Sequence, residues 1–297
     1  MLQLNGIFPP IPTPFDRYGN LATEKINENL NHLDQFDLAG YLVLGSNGEM
    51  VMLTHNEQLD VFKMARKAIP ENKVMLAGTG CQSTRQTIEL TNKAADIGAD
   101  AALILNPYYY KGSITAKALV NHYYKVADAS KIPVVIYNMP ANTGIDMDAE
   151  TILQISQHPN IIGIKDSAGN IVKLASIVRS CDDEFRVLAG SAGFLLPALS
   201  IGASGGITAL ANIAPQQCID LYRKFLDGRM MEAGSLQLNL IRLNIAVTSK
   251  WGLPAMKEAM DMIGLYGGPV REPLLVLERE EKNQLRQLLR ENGLLND

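Results

Sequence analysis

The chain has 297 residues and a formal net charge of −4, with a pI near 5.7, so it carries no basic footprint for nucleic acid and no Lys/Arg cluster for a membrane surface. Met1 and the residues after it lack a cationic leader, and no apolar run reaches the roughly 18 residues of a membrane span, so a cytoplasmic protein acting on a small soluble molecule is expected. Cys81, Cys181 and Cys218 show no CxxC spacing and read as reduced thiols, and His32, His55, His122 and His158 are too scattered to predict a metal site.

In chain order, short apolar runs alternate with amphipathic stretches. The runs fall at 6–11, 40–44, 74–77, 101–105, 133–137, 161–164, 185–189 and 203–207. Between them, 22–36, 56–68, 84–97 and 116–127 are apolar at three- and four-residue intervals, which predicts helices, with Thr23 and Ser83 or Thr84 as N-caps. Eight strands each followed by a helix is the repeat of a (β/α)8 TIM barrel, whereas a doubly wound sheet has fewer strands and opens on a GxGxxG turn that is missing after Ile7. Helical patterns at 232–247, 254–263 and 274–291 exceed what a barrel needs. The chain therefore divides into a barrel, 1–228, and a C-terminal helical extension, 229–297, whose role is packing or subunit contact.

A barrel places its chemistry at the carboxyl ends of its strands. Here the second strand ends in Gly45-Ser-Asn-Gly-Glu49, the fourth in Asn106-Pro-Tyr-Tyr-Tyr110, the fifth in Tyr137-Asn-Met-Pro-Ala-Asn-Thr-Gly144 and the sixth in Lys165. A strand apolar on both faces belongs to a buried parallel sheet, and a lysine at its end meets surroundings that disfavour its charged form, which makes a nucleophilic amine. The plain alternative is a lysine snorkelling into solvent. Lys165, a tyrosine one strand away and the hydroxyl of Ser46 make a set suited to Schiff-base chemistry on a 2-oxo acid, whose carboxylate suits the amides of the glycine turn. Each residue also has a structural reading: Glu49 as an acceptor in a tight turn, Tyr137 as a barrel-filling aromatic, and 108–110 as an exposed loop or subunit contact.

The motifs GSNGE, NPYYY, YNMPANTG, GIKDSAG and GGITALAN, in this order, resemble the dihydrodipicolinate synthase and N-acetylneuraminate lyase family of pyruvate-dependent class I aldolases, from about Asn5 to the end of the chain. The resemblance implies that Lys165 forms the Schiff base with pyruvate and that Tyr137 is the general acid/base. Ser46, where the family usually has threonine, would link it to Tyr109, supplied by a neighbouring subunit. It further implies that the amides of Ser46 and Asn47 hold the pyruvate carboxylate and that Gly190 and Ile207 line the pyruvate pocket. It implies no cofactor beyond the lysine adduct, 2-oxo acid and aldehyde substrates, and a homotetramer built from dimers.

One departure bears on the second substrate. Dihydrodipicolinate synthases carry an arginine for the carboxylate of aspartate semialdehyde where this chain has Asn142, and a neutral amide loses that charge-assisted bond. The motifs resemble more closely the 4-hydroxy-2-oxoglutarate aldolase branch, which yields pyruvate and glyoxylate. Ser167 would then contact the second half of the substrate, its alternative being a helix N-cap. A 2-oxo-3-deoxy sugar acid aldolase or dehydratase, a dihydrodipicolinate synthase, and a barrel that binds a 2-oxo acid without catalysis are the competing readings.

Overall fold

The computed structural model describes residues 2–296. Eight parallel strands, β1 (Gly6–Phe8), β2 (Gly40–Val43), β3 (Val74–Gly78), β4 (Ala101–Leu105), β5 (Val134–Asn138), β6 (Ile161–Asp166), β7 (Arg186–Ala189) and β8 (Gly205–Ile207), coincide with the eight apolar runs. They hydrogen-bond in the order β1-β8-β7-β6-β5-β4-β3-β2. The remaining seam closes through Ala39 N donating to Ile7 O (3.0 Å), Leu42 N to Pro9 O (3.0 Å) and Ile11 N to Leu42 O (2.9 Å), which completes a (β/α)8 barrel. The first strand stops short of its 6–11 run because Pro9 and Pro10 have no N–H to give to a ladder, although the Pro9 carbonyl still accepts.

The helices around it are α1 (Thr23–Leu33), α2 (His55–Ala68), α3 (Thr84–Ile97), α4 (Ala116–Ala129), the single turn α5 (Pro140–Thr143), α6 (Ala149–Ser156), α7 (Ile171–Ser180), α8 (Leu195–Ser200) and α9 (Pro215–Leu226). α10 (Met230–Ile245), α11 (Gly252–Met262) and α12 (Arg279–Glu291) follow. Ser83 caps α3 by accepting from Gln86 N, as its sequence position predicts. Thr23 does not cap α1: it is already the first helical residue, and Ala22 before it supplies no side-chain acceptor. Residues 274–278, expected to be helical, are not. The helix waits for Glu278, whose carboxylate forms a capping box with Glu281.

Alternation along the strands sorts the apolar residues into two cores. Ile104, Val134, Ile136 and Ile164 face outward and pack under the helices. Leu4, Phe8, Leu42, Leu76, Leu103, Val135, Leu188 and Ile207 fill the barrel, and Tyr137 belongs to this inner group. Among the described residues no helix is long and apolar enough to cross a membrane, and no cluster of His, Cys, Asp and Glu is placed to hold a metal ion. All three cysteines are free thiols.

One histidine is enclosed by this packing. His122 on α4 is 4% exposed; its Nδ1 lies 2.9 Å from Thr84 Oγ1, and burial pushes its pKa from 6.5 down to about 4. The unfolded chain takes up a proton near pH 6.5 that the folded chain refuses until about pH 4, so the fold loses about 3 kcal/mol across that window and nothing above it. Urea unfolding at pH 7 and pH 4.5 should show this drop in the wild type and a smaller one in His122→Gln. An equal drop in both would remove His122 as its source.

Candidate active site

The geometry of the site begins with a fault in the sheet. Val134 on β5 pairs with Ile161 on β6, but Val135 pairs with Gly163, so one residue of β6 is bulged. Side chains alternate with a period of two, and a one-residue slip moves every later residue to the opposite face. Before the bulge Ile162 points into the barrel and Ile161 away from it; after the bulge Ile164 faces out with the helices. Lys165 therefore stands opposite Tyr137, on the inner face. Gly163 makes this possible, since a Cβ there would lie 2.4 Å from the carbonyl oxygen of Arg186.

The two side chains meet inside the mouth of the barrel. Lys165 Nζ is 4.2 Å from the centroid of the Tyr137 ring, and both residues are 4% exposed. The Tyr137 hydroxyl lies 3.2 Å from Ser46 Oγ, at the end of β2. Tyr137 is thus both the barrel-filling aromatic and a hydroxyl aimed at a partner. Lys165 is not a snorkelling lysine. Among the described residues three lysines are buried, and two of them are ion-paired: Lys257 to Glu49 at 2.5 Å, and Lys173 to Asp146 and Asp166 at 2.5 and 2.9 Å. Among the described residues Lys165 has no carboxylate or hydrogen-bond partner, and its amine is free for a substrate.

A cleft of ≈ 220 Å³ opens at this end, lined by Ser46, Tyr108, Tyr137 and Asn142 on its polar side and by Leu44, Met50, Val51, Leu103 and Leu105 on its apolar side. Strand ends two, four and five thus share one mouth. Ser46 and Asn47 open a 3₁₀ turn, so their N–H groups have no partner inside it. The Asn47 side-chain Nδ2 is buried with no hydrogen-bond partner among the described residues. Ser167 is not a helix N-cap: Asn170 caps α7. Ser167 instead turns its hydroxyl toward the loop after β7, where a Cβ on Gly190 would fall 2.0 Å from Ser167 Oγ. Ile207 is fully buried in the inner core near Tyr137. Tyr109 lies apart from these residues, 75% exposed and stacked edge-on to Tyr110.

Glu49 is an acceptor that braces the glycine turn, as its structural reading in the sequence has it, but its partners are remote and carry no sequence signal. Leu44 and Glu49 flank it with φ of 60° and 52°, left-handed conformations that cost a non-glycine residue of order 1–3 kcal/mol each. Glu49 is held there by Lys257 from α11, and its second oxygen accepts from Arg271 N at 2.8 Å. Burial pushes the Lys257 pKa below its ordinary value, and the Glu49 carboxylate opposes that shift. Arg271 also grips both oxygens of Glu57, at 2.6 and 3.0 Å, holding that carboxyl down to about 2. Lys257 of α11 and Arg271 of the segment after it thereby clamp the turn that carries Ser46.

Comparison with known proteins agrees with this architecture throughout. The chain matches the sequence profile of the Dihydrodipicolinate synthetase family over residues 3–292. The chain belongs to that family. It is 34% identical over 288 residues to the 4-hydroxy-tetrahydrodipicolinate synthase of Methanothrix thermoacetophila, covering 97% of this chain and 96% of the relative. Among solved structures, dihydrodipicolinate synthase DapA-2 of Bacillus anthracis superposes with a TM-score of 0.94 at 28% identity, covering 98% of this chain and 99% of that one. YagE, a prophage protein of the same family from E. coli K12 solved in complex with pyruvate, gives 0.93 at 30% identity, covering 99% and 100%. As a member of this family the chain is an enzyme, a pyruvate-dependent class I aldolase of the carbon–carbon lyase type.

The Glu49–Lys257 clamp makes a testable demand. Lys257→Met strands a buried carboxylate and should lower stability by about 3–5 kcal/mol in chemical denaturation. The double variant with Glu49→Gln should regain part of the loss. If the double variant is as unstable as the sum of the two single ones, the pair is not the coupling element.

Proposed function

We propose that the enzyme cleaves 4-hydroxy-2-oxoglutarate to pyruvate and glyoxylate through a Schiff base on Lys165. The carrying observation is the buried lysine without an ion partner, in register with Tyr137 and against its ring. The Lys165 amine adds to the 2-oxo carbon, and Tyr137, sharing a proton with Ser46, protonates the departing hydroxyl so that water leaves and an iminium forms. The amides of Ser46 and Asn47 receive the adjacent carboxylate, and Gly190 and Ile207 bound the space for the methyl end. Tyr137, directly or through water, takes the proton of the 4-hydroxyl; the C3–C4 bond breaks, glyoxylate leaves, and its bonding electrons pass into the iminium to give an enamine. Protonation at C3 and hydrolysis return pyruvate and the free amine. The iminium is the electron sink, so the scheme needs no metal or added cofactor.

The far end of the cleft supports a short acid as the second half. Asn142 stands on α5 at the cleft wall and offers an amide rather than a guanidinium. A cation lies close by: the Lys111 side chain rests against Gly144, whose Cβ would meet Nζ at 3.4 Å, and it can face the carboxylate of glyoxylate. Ser167 supplies a further hydroxyl. A second reading, 4-hydroxy-tetrahydrodipicolinate synthesis from aspartate semialdehyde, is favoured by the names of the relatives, among them the Methanothrix enzyme. The exposed Tyr109 and Tyr110, which follow the cleft-lining Tyr108 in the chain, support subunit assembly, with Tyr109 entering a neighbour's proton relay in a homotetramer.

Incubation with pyruvate and borohydride should leave a reduced adduct that mass spectrometry maps to Lys165; an adduct elsewhere, or none, sinks the mechanism. With pyruvate held constant, glyoxylate should outperform aspartate semialdehyde and glyceraldehyde as acceptor. Preference for aspartate semialdehyde by orders of magnitude would overturn the substrate assignment and leave the lysine chemistry standing.

A further inference from the structure

One residue beyond Tyr137 and Lys165, in the same register, stand Asn138 and Asp166. Alternation turns them away from the barrel interior, and both are completely buried. They form the centre of a polar network that the chemistry above does not use. Asn138 Nδ2 donates to Asp166 Oδ2 at 2.7 Å and to Asp146 Oδ1 at 2.8 Å, while its Oδ1 accepts from Met147 N at 3.1 Å. Lys173, reaching back from α7 and itself 8% exposed, lies 2.9 Å from Asp166 Oδ2 and 2.5 Å from Asp146 Oδ1. Ala168 N donates to Asp166 Oδ1 at 2.9 Å. Backbone bonds from Ser167 N to Asn138 O (2.9 Å) and from Gly190 N to Asp166 O (2.8 Å) tie in the turn after β6 and the loop after β7.

The residues assigned to substrate are attached to this network by short stretches of chain. Tyr137 and Lys165 precede its two buried members directly, Ser167 follows Asp166, Gly190 bonds to it, and Asn142 lies on the 139–146 segment pinned at both ends by Asn138 and Asp146. Its charge balance hangs on one side chain. Among the described residues Lys173 is the only cation within ion-pair distance of Asp166 and Asp146. A fully buried carboxylate without its cation must find a proton or move toward water, and either breaks the two-strand lock.

We propose that Lys173 is a positioning residue for the Schiff-base reaction, holding the ends of β5 and β6 so that Tyr137 and Lys165 keep their mutual aim. The inference rests on the Lys165 mechanism above and extends it to a residue that touches no substrate. It also separates two functions of the mouth. The turn that receives the pyruvate carboxylate sits on β2 and is braced by Glu49 and Lys257, outside this network, so ground-state docking of pyruvate does not depend on Lys173. The chemical step does, because displacement of the reacting groups by about 1 Å costs of order 100-fold in rate.

The test compares Lys173→Met, Lys173→Arg and Asp146→Asn with wild type, each shown folded by circular dichroism and thermal melting. Lys173→Met should trap pyruvate with borohydride about 100-fold more slowly and lose kcat by a similar factor, with KM for pyruvate in the synthetic direction little changed; Lys173→Arg should restore most of the rate. Asp146, half exposed, can be neutralised without unfolding the chain. That variant keeps Asp166 paired with Lys173 but frees the Asn142 segment, so it should trap pyruvate at the wild-type rate and show a raised KM for the cleavable 2-oxo acid. If Lys173→Met does not fold, Lys173→Arg and Asp146→Asn still decide the matter: a slow Arg variant, or no KM effect in the Asn variant, contradicts the network's role. Wild-type kcat in folded Lys173→Met would reduce Lys173 to a stability element. Failure of the wild type to trap pyruvate at all would instead strike the underlying mechanism.

Discussion

The bulge in β6 is the constraint on which the site depends. A parallel pair of strands offers neighbouring residues on the same face, but only in the register that the chain adopts. Continued from Val134 and Ile161 without interruption, the ladder would set Ile164 beside Tyr137 and turn Lys165 outward among the helices. The extra residue, accommodated by Gly163 where no side chain fits, exchanges those positions. An amine otherwise destined for a helix–sheet layer is brought to the inner mouth of the barrel, against an aromatic ring whose hydroxyl reaches across to β2.

Two charged clamps surround that pair and divide the work. Lys173 with Asp146 and Asp166 lies behind β5 and β6, on their outer face. Lys257, supplied by α11, pairs with Glu49 at the glycine turn on the far side of the mouth. Both are buried ion pairs with additional hydrogen bonds, a class whose value lies less in net stability than in fixing one arrangement against others. In this protein each fixes a different half of the proposed chemistry: one the reacting side chains, the other the turn assigned to the carboxylate. The helical extension is therefore tied to the mouth of the barrel as well as packed on it.

Much of this was legible in the sequence because it is written in local pattern. Eight apolar runs mark eight strands, and the polar residues at their ends mark the mouth; Lys165, Tyr137 and Ser46 come together as their strand positions imply. The failures have local causes too. Pro9 and Pro10 end β1 early, and apolar Leu274, Leu275 and Val276 imitate a helix that begins only at the Glu278 cap. The clamps were invisible for a different reason: Glu49 and Lys257 are 208 positions apart, and nothing in either neighbourhood announces the other. Asp166 and Gly163 did leave a trace. A carboxylate directly after the lysine and a glycine inside an otherwise apolar strand are the marks of a buried partner and a bulge, and read together they point to the face that Lys165 takes. Tyr109, which the resemblance assigns to the proton relay, is exposed on the single chain and lies apart from Tyr137 and Ser46, and nothing in its own neighbourhood of the sequence marks what it would meet.

In the proposed chemistry Lys165 and Tyr137 convert pyruvate into an enamine without any aldehyde present. Proton NMR of pyruvate in D₂O with enzyme and no acceptor measures that step alone. The methyl signal should exchange with solvent deuterium at an enzyme-dependent rate, slow sharply in Tyr137→Phe and fall to the uncatalysed rate in Lys165→Met. Exchange that survives intact in Lys165→Met, or its absence in the wild type, would contradict that chemistry.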